Sequence, residues 1–154
     1  MIGMKKGQTA MEYLMTYGWA ILIIIIVAAA LFALGVFNPG TFTQSTATGF
    51  PGLQVQAGGW KLDSTAGTYT LIFSNIVGNR ITVIGVNATL GTQTLTNNTA
   101  IPLAPNERAR YDISGFTGLT AGAAFSIRAQ IHYNNEDSGI GGLRSAGTTT
   151  GVTS

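Results

Sequence analysis

From Met11 to Phe37 nearly every position is apolar, and no period sets one side of the segment apart from another. From about residue 50 onward, apolar and polar positions alternate in short runs. The first pattern is that of a helix hydrophobic all round. Leu14 to Phe37 is roughly 24 residues, about 36 Å as a helix, long enough to cross a bilayer core. The second pattern is that of half-buried strands. Asn38-Pro39-Gly40 separates the two, a tripeptide that ends helices and favours turns.

The clearest alternation is Phe125 to Tyr133. Phe125, Ile127, Ala129, Ile131 and Tyr133 share one face, and Ser126, Arg128, Gln130 and His132 the other. Ala109, Tyr111 and Ile113 alternate with Arg108, Arg110 and Asp112, and Tyr69, Leu71 and Phe73 form a third such run with Ile72 turned away. In Ile81–Leu90 the phase slips. Ile81 and Val83 lie on one parity, and Ile84, Val86, Ala88 and Leu90 on the other, so a bulge near Ile84-Gly85 is expected. Leu53–Leu62 and Thr92–Leu95 are further candidate strands. Turns are marked at Ser64–Gly67, Gly78-Asn79, Asn97-Asn98 and Ala104–Asn106. The loop around Phe116-Thr117, flanked by Gly115, Gly118 and Gly122, is expected to be exposed.

These runs predict an α+β chain, a long N-terminal apolar helix followed by a small antiparallel β-sandwich of Ig-like form. The expected organisation is a leader at residues 1–7, the apolar helix at 8–38 and a linker at 39–52. A sandwich head at 53–137 follows, then a Gly/Thr-rich tail at 138–154. The tail is flexible by composition, with an edge strand expected around Ile140–Leu143.

Charge changes the picture where it is placed. The formal net charge is +2, and Lys5 and Lys6 supply both units, because the other six basic residues match the six acidic ones. Arg80, Arg108, Arg110, Arg128 and Arg144 are dispersed and form no basic stripe, so no nucleic-acid partner is expected. There is no cysteine, which excludes disulfides and thiolate metal sites. Lys5 and Lys6 on the N-terminal flank keep that end cytoplasmic by the positive-inside rule, and export the polar part. An ordinary secretory signal would carry an apolar core of about 7–15 residues before its cleavage site. A cut after Ala28-Ala29-Ala30 would leave Leu31, Phe32, Leu34, Val36 and Phe37 as a greasy stub.

Glu12 is the only charge between Met11 and Phe37. A carboxylate in mid-bilayer costs a few kcal/mol even on lenient scales, and less at the interface. If the chain were cut between Gly7 and Gln8, the new α-amine would lie four residues before Glu12. In a bundle of such helices, the carboxylate of one copy can meet the amine of another. A paired charge in low dielectric is penalised far less than an unpaired one. Small residues such as Gly18, Ala20, Ala28 and Gly35 along the helix permit close approach of backbones.

Lys5-Lys6-Gly7-Gln8-Thr9-Ala10-Met11-Glu12-Tyr13-Leu14 resembles the class III signal sequence of archaeal type IV pilins. In that family a short basic leader ends in glycine, a prepilin peptidase cuts before a glutamine, and a glutamate and an apolar helix follow. The resemblance covers residues 5–37. It implies cleavage between Gly7 and Gln8, a leader charge carried by Lys5 and Lys6, and assembly through Gln8 and Glu12. It implies a lollipop-shaped subunit of a helical homopolymer, with the apolar helices as filament core and the heads outside. The implied partners are other copies of the chain, prepilin peptidase, a pilus assembly ATPase and a membrane platform protein. The implied location is the archaeal cell surface, reached from a precursor in the cytoplasmic membrane, with adhesion as the use. Archaellins share the leader–helix–head logic, but their leader is not usually followed by a Gln-x-x-x-Glu-Tyr pattern. A membrane-anchored binding module that stays monomeric is the alternative of a different class, and an enzyme on a stalk is a third.

Outside the helix, candidate chemistry is sparse. Asn87-Ala88-Thr89 and Asn97-Asn98-Thr99 are sequons, so Asn87 and Asn97 are candidate N-glycan acceptors. Chance supplies about two in a chain of this composition. His132 is the single histidine, on the polar face of its strand. Asn134 to Gly139 clusters oxygens without the spacing of a calcium loop. Gly58-Gly59 and Gly139–Gly142 are followed by no lysine and no strand–helix step, as a phosphate loop would require. No nucleophile–base pairing is legible. No cofactor, no metal and no catalysis are expected.

Overall fold

A computed structural model describes residues 4–37 and 44–154, the first three of these as backbone. The expected boundary at Asn38-Pro39-Gly40 and the side chains of Lys5 and Lys6 lie outside the described residues. The chain forms two compact units, residues 1–41 and 42–154.

The first unit is one helix, α1, Met4–Ala33. Its interior is Ile, Leu, Val and Ala with no proline, and it ends because Gly35 adopts φ +69°. Gly35 N–H donates to Phe32 O at 3.1 Å and Val36 N–H to Leu31 O at 3.1 Å. This is a Schellman cap, which satisfies carbonyls the helix leaves open. The helix therefore stops at Ala33 rather than running to residue 38. The expectation placed the end at Asn38-Pro39-Gly40 and read Gly35 as a small packing residue rather than as the cap.

Among the described residues, the second unit holds nine strands in two antiparallel sheets. They are β1 (Thr46–Gly49), β2 (Leu53–Asp63), β3 (Thr68–Asn75), β4 (Ile81–Leu90), β5 (Gln93–Asn97), β6 (Ile101–Leu103), β7 (Arg108–Ser114), β8 (Ala124–Asn135) and β9 (Ile140–Val152). The larger sheet runs β1-β9-β8-β4-β5, with β6 also against β4, and the smaller runs β2-β3-β7.

Alternation decides which faces meet. Tyr69, Leu71 and Phe73 of β3 and Tyr111 and Ile113 of β7 are buried with Val86, Ala88, Ile127, Ala129 and Ile131 of the larger sheet, in one apolar core. One buried hydroxyl pair joins the sheets, and a second tyrosine hydroxyl ties the smaller sheet to the β5–β6 turn. Tyr69 Oη lies 2.8 Å from Thr149 Oγ1, and Tyr111 Oη donates to Thr99 O at 2.6 Å. At the edge, Trp60 Nε1 donates to Thr150 O at 2.9 Å.

The phase slip in β4 is a bulge. Its register against β8 shifts between Val83 and Gly85. Ile81, Val83, Val86 and Ala88 are all fully buried, and Ile84 is the extra residue, 40% exposed. The bulge divides one edge of β4 between two partners. β6 pairs with Ile81–Val83 and β5 with Val86–Leu90. The turn between β5 and β6 passes over Gly85, where an added Cβ would lie 2.9 Å from Asn98 Oδ1.

Three expectations are corrected. The linker at 39–52 contains β1, which pairs with β9 from Thr46↔Thr150 to Gly49↔Gly147. The tail is no flexible extension with an edge strand at 140–143. β9 is 13 residues long and lies inside the sheet between β1 and β8. Phe116 is not exposed. It is 4% exposed and belongs to the core, while Thr117 beside it is exposed.

Candidate functional site

The residues singled out near the N-terminus fall on one continuous helix. Gly7 and Gln8 are helical, and Gln8 and Glu12 are four residues apart, hence on one face within about 6 Å at Cβ. A Cβ added at Gly7 would meet nothing within 4 Å. Glycine costs about 1 kcal/mol in a helix relative to alanine, so the helix is locally weakened at the Gly7-Gln8 bond, as it is at Gly18.

Glu12 is exposed, and its carboxylate has no hydrogen-bond or ion-pair partner among the described residues. Its backbone carbonyl accepts the Thr16 hydroxyl at 2.9 Å. Tyr13 and Tyr17 stack along the same side with ring centroids 4.5 Å apart. The most apolar 18-residue window within Gly7–Ala33 has a mean hydropathy of 2.4, and none of that window is buried. By length and composition this helix can cross a membrane. Trp19, Ile24 and Phe32 are each about two-thirds exposed or more. Such a surface is stable only against lipid or against other apolar helices.

The two sequons lie on neighbouring strands. Asn87 is opposite Thr96, and Asn97 opposite Val86, so their side chains take opposite faces of the larger sheet. Asn87 is half-buried in mid-strand, with Nδ2 3.4 Å from His132 Nε2. Asn97 closes a turn. Its Oδ1 accepts Thr99 N–H at 3.0 Å and the Thr99 hydroxyl at 2.7 Å, and its Nδ2 donates to Asp112 O at 2.9 Å. Both amides are engaged in the folded chain, so a glycan at either would have to be attached before folding or at the expense of these bonds.

Three of the side-chain oxygens of Asn134 to Gly139 accept backbone amides. Asn134 Oδ1 accepts Gly142 N–H at 3.0 Å, Asn135 Oδ1 accepts Ser138 N–H at 3.1 Å, and Asp137 Oδ2 accepts Arg80 N–H at 2.7 Å. They hold a hairpin end in shape.

The outer face of the smaller sheet carries three cations, and two of them, Lys61 and Arg110, are matched by carboxylates while Arg108 is not. Arg110 meets Asp112 at 3.0 Å, and Lys61 meets Asp63 at 3.3 Å. The Thr70 hydroxyl, then the Arg110 guanidinium, holds the Asp112 carboxyl below its ordinary range. The Ala66 N–H, then the Lys61 ammonium, does the same for Asp63.

Sequence reasoning did not single out Asn75. It is fully buried, and its Nδ2 reaches Asn79 O at 2.8 Å, Leu103 O at 3.3 Å and Ala104 O at 3.2 Å. Its Oδ1 accepts Val77 N–H at 3.0 Å. One side chain thereby fastens the β3–β4 loop to the β6–β7 turn. Its one sequence signal was a polar residue closing a strand whose other polar positions face outward.

No protein-family model matches the chain, and no curated protein sequence matches it.

Proposed function

We propose that the chain is the precursor of a type IV pilin of archaeal kind, a structural subunit rather than an enzyme. On this reading prepilin peptidase removes residues 1–7, and the mature chain leaves the cytoplasmic membrane for an extracellular filament used in adhesion. The apolar helices form the filament core and the two-sheet head, read as an Ig-like sandwich, forms its surface. An assembly ATPase and a membrane platform protein drive insertion.

The observation that carries this is the run Lys5-Lys6-Gly7-Gln8 with Glu12 one turn further on, placed on a helix that is apolar all round. A lone anchor explains the apolar surface but gives the carboxylate no purpose. Subunit-to-subunit pairing of Glu12 with the Gln8 amine supplies one, because burial in a bundle makes an unmatched carboxylate costly and favours the register that matches it. The contact is heterologous and need not close, which is what a helical polymer requires.

The test is mass analysis of the native protein with a Glu12→Gln variant beside it. The mature chain is expected to begin at Gln8 in both, with filaments only where Glu12 is retained. A native chain that keeps Met1–Gly7, or begins after Ala30, would refute the reading. Normal filaments from Glu12→Gln would refute the pairing.

A further inference from the structure

Among the described residues, the smaller sheet matches two of its three outward cations, Arg108 being the exception, and the larger sheet matches neither of its two. On the smaller sheet Lys61 and Arg110 are neutralised by carboxylates, as described. On the outer face of the larger sheet, Arg128 and Arg144 are exposed and have no partner among the described residues. Register places them together. Arg144 is opposite His132, which shares a face with Arg128 four residues along β8. At about 3.4 Å per residue and one strand spacing of about 4.8 Å, the two Cα atoms are roughly 14 Å apart.

Arg128 sits within a row of hydroxyls. It pairs with Thr148 on one side and Thr89 on the other, and beyond these lie Thr48 and Thr94. A recess of 330 Å³ opens between Arg128, Thr48 and Thr148, floored by Ala146 and glycine backbone. Among the described residues, the outward positions of β1, β9, β8, β4 and β5 hold no carboxylate.

We propose that this face binds an anionic polysaccharide, with Arg128 and Arg144 meeting carboxylates on separate sugars of one chain and the threonine row meeting sugar hydroxyls. A guanidinium binds carboxylate through a two-pronged, charge-assisted contact. Threonine offers both a donor and acceptors, the complement of a sugar hydroxyl. The spacing favours a polymer with sparse charge. Duplex DNA carries a charge every ~1.7 Å, far denser than two guanidiniums can match. Single strands are held by aromatic stacking, and the row around Arg128 offers threonines instead. The inference rests on the head alone and does not depend on polymerisation.

The test uses the full-length chain dispersed in detergent, so that binding is read apart from filament formation. Hyaluronan, with a carboxylate on alternate sugars, is the immobilised probe; neutral dextran and duplex DNA are competitors. Retention at low salt and release at high salt are expected. Arg128→Gln with Arg144→Gln should weaken it about tenfold, the scale of losing two charge-assisted contacts. Arg110→Gln, whose guanidinium is already matched, should leave it unchanged. No retention, unaltered retention in the double variant, or equal competition by neutral dextran overturns the proposal. So does tighter binding of DNA, or a glycan found on Asn87, which would cover this face.

Discussion

Tyr69 carries its hydroxyl into the middle of the core, and Thr149 meets it there. Burial pushes its ionisation well above the ordinary 10, and burial pushes Tyr111 up to about 12. A group whose folded pKa is raised contributes stability fully below the unfolded pKa and loses it as pH climbs toward the folded one. The head should therefore hold its stability to about pH 10 and weaken steadily from there toward pH 12. Tyr69→Phe separates two effects. It strands the Thr149 hydroxyl in the core, which costs about 1–2 kcal/mol at neutral pH, and it removes one titrating phenol. Melting temperatures from pH 7 to 12 should show a lower starting point and a shallower alkaline decline for the variant. Parallel declines would mean that Tyr69 is not responsible. Tyr69 was legible as a core residue because it alternates with Leu71 and Phe73. Its partner was not, because a threonine among threonines gives no sign of which one turns inward.

At the scale of elements, legibility followed the apolar content of each strand. β3, β7 and β8 alternate Tyr, Leu, Phe or Ile with polar residues, and their inward positions in the core were readable as such. β9 has no such signature. Its buried inward positions are Ser145, Thr149 and Gly151, and between the first two Gly147 backs directly onto the ring of Phe50. A side chain at 147 would collide with that ring, so the strand contributes closeness of backbone rather than apolar bulk. Composition reads this as a flexible tail, because packing against a bulky neighbour from the distant β1–β2 connection is a tertiary fact. Ending the chain after Gly139 tests the difference. It removes the partner of β1, one edge of β8 and the hydrogen bond to Tyr69 together. The expected result is loss of the β-sheet circular dichroism of the head and rapid proteolysis from residue 44 onward. A truncated chain with unchanged spectrum and protease resistance would restore the flexible-tail view.

At the scale of the whole molecule, two different solvents are written into one chain. The core of residues 42–154 is closed by its own side chains from Phe50 onward, and no residue of α1 belongs to it. The helix buries none of its most apolar window. The residues on which the proposed function rests, Lys5-Lys6-Gly7-Gln8, Glu12 and the apolar run, could be picked out together because they are contiguous in sequence. The arginine face of the larger sheet was not, because Arg128 and Arg144 become neighbours only through the register of β8 with β9. Since the units draw on separate interactions, each should keep its behaviour when parted. A chain beginning at residue 42 should fold as a water-soluble monomer. Its melting temperature should lie within a few degrees of the head transition in the detergent-dispersed full chain, since distant, independent sites contribute additively. It should not partition into vesicles or form filaments, because the apolar surface proposed to drive both has been removed. The full chain should require detergent. Sedimentation, vesicle flotation and thermal melts of the two chains decide the matter. An unfolded or aggregated fragment would show that the helix completes the core of the head, and a soluble fragment that still polymerised would place the assembly surface on the strands.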